Sequence, residues 1–125
     1  MTNPESVVRS YFEAAAKPGN LLAAVDEHFT PDAIWQNTGL PTAEGIEAIK
    51  GFWQHFVDQY AMHAMIVEVL ALAVAGDRVV TERIDHFDDP AGNRVASVPV
   101  AGTFVVRDGR IALWRDYFDP RPFLG

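Results

Sequence analysis

Val79-Val80-Thr81-Glu82-Arg83-Ile84-Asp85-His86-Phe87 decides how this chain is read. Strand side chains alternate between faces, so Val79, Thr81, Arg83, Asp85 and Phe87 share one. That face begins and ends apolar yet carries an arginine and an aspartate two residues apart. A second run, Ile111 to Phe118, has the same character. There Ala112, Trp114, Asp116 and Phe118 share a face, which sets Asp116 between two large aromatics. A carboxylate on an apolar face is costly unless it is paired or hydrogen-bonded. Two carboxylates and one arginine directed into one apolar pocket make a proton-transfer site.

The chain around these strands fits one soluble domain, residues 1–125. Its 125 residues are enough for a core without staples, and 49% hydrophobic with 22% charged residues is ordinary for a globular protein. The longest apolar run, Ile66 to Ala75, is interrupted by Glu68 and is too short to span a bilayer. No basic segment followed by an apolar one opens the chain, so a cytoplasmic location is expected. Cysteine is absent, which excludes disulfides, thiolate nucleophiles and Cys-based metal sites. A net charge of −7 with dispersed basic residues argues against nucleic acid as a partner.

Outward from the two strands, the order of elements emerges. Asn3-Pro4-Glu5 caps a helix whose Val7, Val8, Tyr11, Phe12 and Ala15 recur at helical spacing until Pro18-Gly19-Asn20. A short helix follows over Leu21 to His28. Thr30-Pro31-Asp32 reads as a turn, Ala33 to Gln36 as a short strand, and Asn37 to Gly45 as a loop. A third helix, Gly45 to Tyr60, carries the stripe Ile46, Ile49, Phe52, Trp53, Phe56 and Tyr60. From Met62 the texture is that of strands: Met62 to Val74, Val79 to Phe87, Arg94 to Val106 with a bulge expected near Pro99 and Gly102, and Arg110 to Asp119. Three helices followed by a four-strand antiparallel meander give an α+β domain, a curved antiparallel sheet wrapped around the helices. This order resembles the nuclear-transport-factor-2-like (cystatin-like) cone, a fold that hosts isomerases, cyclases and binding domains, so fold alone does not decide function.

Each candidate residue has a structural reading beside the chemical one. Arg83 and Asp85 could form an exposed ion pair worth about 0–1 kcal/mol. An interior strand position favours burial instead. Asp116 could merely neutralise Arg83. Buried together around one arginine, however, two carboxylates split their protonation, one ionised and one holding a proton. That is one acid and one base. Asn37 suits a turn before Thr38-Gly39 and equally suits an amide that orients a water beside Asp116. His28, His55, His63 and His86 show no ligand spacing, so no metal is expected. Nucleophile-elbow, phosphate-loop and dinucleotide motifs are absent.

Thr81-Glu82-Arg83-Ile84-Asp85, Trp114-Arg115-Asp116-Tyr117-Phe118-Asp119, and Gln36-Asn37 followed by Leu40-Pro41 and Gly45 resemble the limonene-1,2-epoxide hydrolase family over nearly the whole chain. The resemblance implies a cofactor-free, one-step epoxide hydrolase. In it Asp85 protonates the epoxide oxygen, Asp116 activates water, Arg83 bridges the two and Asn37 holds the water. The family has a tyrosine where this chain has Trp35, which offers only an indole N–H. The chain also looks shorter than the family at its N-terminus, which implies a more open pocket mouth.

The partners expected are a small apolar epoxide and water, with Trp35, Leu40, Phe52, Phe56, Phe87, Phe118 and Phe123 lining the pocket. Val80, Ile84, His86, Leu113 and Tyr117 on the opposite sheet face are apolar enough to predict a homodimer. Two other functions use the same residues. One is an isomerase or cyclase acting on a steroid- or polyketide-like substrate, and the other is a non-catalytic apolar-ligand-binding domain.

Overall fold

The structure, a computed structural model, describes residues 3–124. Helix α1 (Pro4–Ala15) starts where the Asn3 side chain accepts a 2.8 Å hydrogen bond from the Ser6 amide, with proline at its first position. It buries Val7, Val8, Tyr11, Phe12, Ala14 and Ala15. Helix α2 (Leu21–His28) leads directly into strand β1 (Phe29–Asn37). A two-residue strand β2 (Ala43–Glu44) precedes helix α3 (Ile46–Tyr60), which ends at Ala61 in the left-handed region, φ 56°. Four long strands follow: β3 (Ala64–Ala75), β4 (Arg78–Asp88), β5 (Arg94–Arg107) and β6 (Arg110–Tyr117), then a 3₁₀ turn over Arg121–Phe123.

Strands β3 to β6 pair as the expected antiparallel meander, and the sheet does not stop there. Its order is β2-β1-β6-β5-β4-β3, six strands, with β1 parallel to β6 and β2 antiparallel to β1. The sheet is therefore mixed and open. Thr30-Pro31-Asp32, expected as a turn, lies inside β1. The β1–β6 register shifts between Phe29 and Ile34, and this irregularity accommodates a proline that cannot donate to a ladder. The bulge expected near Pro99 and Gly102 is absent, because β4–β5 pairing runs without a shift from Arg78–Val105 to Phe87–Ala96. Pro99 lies beyond the last β5–β6 pair, Ala101–Tyr117, so that edge of the strand carries no ladder there.

Helix α1 lies against β3 to β6, and α3 against β1 and β2. Between helices and sheet sits a core in which Tyr11, Phe29, Ile49, Trp53, Phe104, Ile111 and Trp114 are almost wholly excluded from water. Alternation along β4 is strict: Val79, Thr81, Arg83, Asp85 and Phe87 are buried while Val80 and Glu82 face outward, exposed. Burying that apolar face holds the register, since a one-residue slip would turn all five side chains to solvent. No helix among the described residues is long and apolar enough to cross a membrane.

Candidate active site

Three neighbouring strands bring one cation and two anions together. Arg83 is 1% exposed, and Asp85 and Asp116 are 4% exposed each. Arg83 Nε donates to Asp85 Oδ1 at 2.8 Å. Its Nη2 divides between Asp85 Oδ2 at 3.2 Å and Asp116 Oδ2 at 2.6 Å. Nη1 donates to Thr81 Oγ1 at 2.9 Å, and that hydroxyl donates onward to the Gly102 carbonyl at 3.1 Å. The guanidinium lies 5.6 to 5.9 Å from the ring centroids of Phe104, Phe12 and Trp114. Its planar fork and aromatic surroundings suit arginine and not lysine.

Asp116 has a second donor, since Trp114 Nε1 reaches its Oδ1 at 2.8 Å. Trp114 and Asp116 are two apart on one strand and so share a face. Across the parallel β1–β6 pair, Asn37 is the register partner of Asp116 and Trp35 of Trp114. The loop after β1 is tied to the same place, because the Thr38 amide and hydroxyl both donate to the Asp116 carbonyl, at 3.2 and 3.0 Å.

Charge bookkeeping sets the chemistry. One arginine and two ionised aspartates would leave a net negative charge among groups only 1–4% exposed, and burial opposes that. Burial pushes Asp116 from an ordinary 3.8 up to about 6; Asp85 adds to the rise, and Arg83 and Trp114 oppose it. Burial alone would lower Arg83, but its two carboxylates more than offset this and hold it charged. A single proton shared by the pair makes the cluster neutral, and that proton belongs to the pair as a unit.

The cluster forms one wall of a cavity lined by Trp35, Asn37, Trp53, Phe56, Met62, Met65, Asp85, Phe87, Val98, Val100, Trp114, Asp116, Phe118 and Phe123. Of the residues expected from sequence, Asp85, Asp116, Asn37, Trp35, Phe56, Phe87, Phe118 and Phe123 meet there, and Arg83 stands behind the two carboxylates. Leu40 and Phe52 do not line it. Both are half-buried and pack against the outside of the core, Phe52 edge-on to Trp35 at 6.1 Å. In the helix stripe the neighbouring Trp53, one residue on, is the side chain that turns inward. Met62, Met65, Val98 and Val100 were missed because which residues of two long strands reach the cavity depends on sheet curvature, which alternation does not report.

Gly102 was read as a bulge, and its role is different. It pairs with Thr81 on one side and Asp116 on the other. A Cβ there would overlap Asp116 Oδ1, sit 2.7 Å from Arg83 Nη1 and 3.0 Å from the Arg115 carbonyl oxygen. The missing side chain is the space through which arginine and aspartate meet. His86, on the opposite face, bridges Ser97 at 2.8 Å and Glu68 at 2.9 Å. Among the described residues no group of three or more His, Cys, Asp or Glu could hold a metal ion.

Fold and cluster together define a nuclear-transport-factor-2-like cone with a buried arginine–dicarboxylate centre. The SnoaL-like domain model matches residues 8–114, and the chain belongs to that family. It is 30% identical over 95 residues to epoxide hydrolase EphG of Mycobacterium tuberculosis (strain ATCC 25618 / H37Rv), a match covering 76% of this chain and 60% of that protein. The structure superposes on an M. tuberculosis LEH-like epoxide hydrolase with a TM-score of 0.75 and 27% identity, covering 94% of this chain and 84% of the other. An NTF2-like protein of unknown function from Burkholderia pseudomallei K96243 matches at a TM-score of 0.78 and 21% identity, over 99% and 96% of the two chains, and shares the fold.

Proposed function

We propose that this protein opens a small apolar epoxide to a vicinal diol in one step, without a cofactor. The observation that carries the reading is one guanidinium shared by two buried carboxylates at the wall of an apolar cavity. An epoxide needs a proton at oxygen and a nucleophile at carbon at about the same moment. Asp116 is the base that activates water and Asp85 the acid, roles that the resemblance to the limonene-1,2-epoxide hydrolase family implies. Water held beside Asn37 gives a proton to Asp116 as its oxygen bonds to the epoxide carbon. The C–O bond breaks, and the leaving oxygen takes the proton of Asp85. One proton then passes from Asp116 back to Asp85 and restores the cluster. The likeness to EphG supports the same chemistry.

Hydrolysis in ¹⁸O-labelled water tests this, with one label expected per diol. Asp85→Asn and Asp116→Asn should each abolish turnover while the fold survives. Rate should fall as pH rises through about 6, where the pair gives up the single proton that the epoxide oxygen needs. A second reading, proton transfer at carbon in a carbonyl substrate, draws on Trp35. This residue lines the cavity, and its Nε1 is buried with no partner among the described residues. A carbonyl oxygen would satisfy that donor, and a product without label would favour this reading.

A further inference from the structure

The cavity volume is about 40 Å³. An apolar cavity that accepts benzene measures about 150 Å³, so this one is roughly a quarter of that size. Trp35 is the reason. Its indole lies flat on Trp114, ring centroids 4.6 Å apart and planes 11° from parallel, and against Trp53 at 5.1 Å and 28°. Trp114 in turn stacks on Phe104 at 5.4 Å and 20°. Phe52 and Phe56 hold Trp35 edge-on, at 6.1 and 6.2 Å. At 4% exposure, Trp35 cannot turn aside without displacing two other tryptophans. It is a fixed wall and not a movable side chain.

We infer that Trp35 sets the size limit of the site, and that the substrate is a compact aliphatic epoxide of about three or four carbons, not a ring-fused or aryl epoxide. The inference rests on the epoxide-hydrolase reading for its chemistry, while the size limit rests on the stack alone. One or two extra methylenes in a filled apolar pocket shift discrimination by about tenfold or more. Removing the indole wall should therefore admit a six-membered ring.

The test compares wild type with Trp35→Leu and with the milder Trp35→Phe, each checked for fold by circular dichroism. In wild type, kcat/KM for propylene oxide should exceed that for cyclohexene oxide by at least about tenfold, and Trp35→Leu should reverse the preference. A second readout needs no turnover. The chain's 3 tryptophans all line this cavity, so tryptophan fluorescence, excited selectively over tyrosine, reports on it. Cyclohexanol should leave wild-type fluorescence unchanged and should shift that of Trp35→Leu. If no form hydrolyses any epoxide while the cyclohexanol contrast holds, the hydrolase reading fails and the size limit stands. If wild type binds cyclohexanol as tightly as the variants do, or turns over both epoxides equally well, the size limit is overturned.

Discussion

Replacing Gly102 with alanine adds one methyl group to the middle of β5, and in an ordinary strand the change should help. Alanine loses less backbone freedom on folding, a gain of about 0.5–1 kcal/mol. Here the new carbon would overlap Asp116 Oδ1 and lie 2.7 Å from Arg83 Nη1. Neither side chain has room to retreat. Arg83 is tied to Thr81 and Asp85, and Asp116 to Trp114. The backbone side is closed as well, with the Arg115 carbonyl oxygen at 3.0 Å. Something must part, and the contact in the way is the ion pair between Arg83 and Asp116. Separating a buried pair costs about 3–5 kcal/mol. Setting the strand gain against this leaves a net loss of about 2–4 kcal/mol, a large share of the ~5–15 kcal/mol that holds a typical domain. Urea unfolding of wild type and Gly102→Ala measures it. The same substitution in an Asp116→Ala background should cost less than in wild type, because the overlapping carboxylate is gone while the contacts to Arg83 and the Arg115 carbonyl remain. If Gly102→Ala unfolds within about 0.5 kcal/mol of wild type, the closeness of the three groups across β5 is not what the structure shows.

Asp116 also ties stability to pH. Its native value of about 6 lies above the ordinary 3.8, so between these the native state holds a proton that the unfolded state has lost. This group's contribution therefore falls as pH rises through that window. Relative to wild type, Asp116→Asn should gain up to about 3 kcal/mol between pH 4 and pH 7, read from urea midpoints; a flat difference would refute it. The outer sheet face, where Val80 is 45% and Tyr117 57% exposed, should hold a homodimer. Light scattering should give twice the chain mass for wild type and the chain mass for Tyr117→Glu, and a monomeric wild type would end the proposal.

What the sequence revealed and what it hid divide along local and non-local lines. The inward face of β4 was legible because alternation needs nothing beyond nine consecutive residues. Asp116 beside Trp114 followed from the same period, and Asn3-Pro4 marked the start of α1 by capping chemistry. The extent of β1 was not legible. Pro31 reads as a turn wherever nothing says that a parallel neighbour tolerates an irregular register. The place of β1 beside β6 is set by residues about eighty positions on, such as Thr38 with Asp116, 78 apart. Phe52 and Trp53 show the same limit: a broad apolar stripe says that a helix is buried and leaves open which of two adjacent aromatics reaches the cavity. Gly102 was misread because a strand glycine signals a close approach without naming what approaches.

The last long strand in the chain sits in the middle of the sheet, between β1 and β5. A chain emerging from its N-terminus therefore makes β1 early and must keep it unpaired on that edge until β6 arrives. The β3–β5 meander meanwhile carries its own open edge. Both edges wait for the same eight residues, Arg110–Tyr117, and their insertion closes long loops at once. Such topologies fold slowly for their size and expose strand edges while they wait. The same eight residues bring Asp116 to Arg83. The strand that joins β1 to the meander is thus also the strand that completes the arginine–dicarboxylate centre, and no chain with β6 unpaired holds that centre.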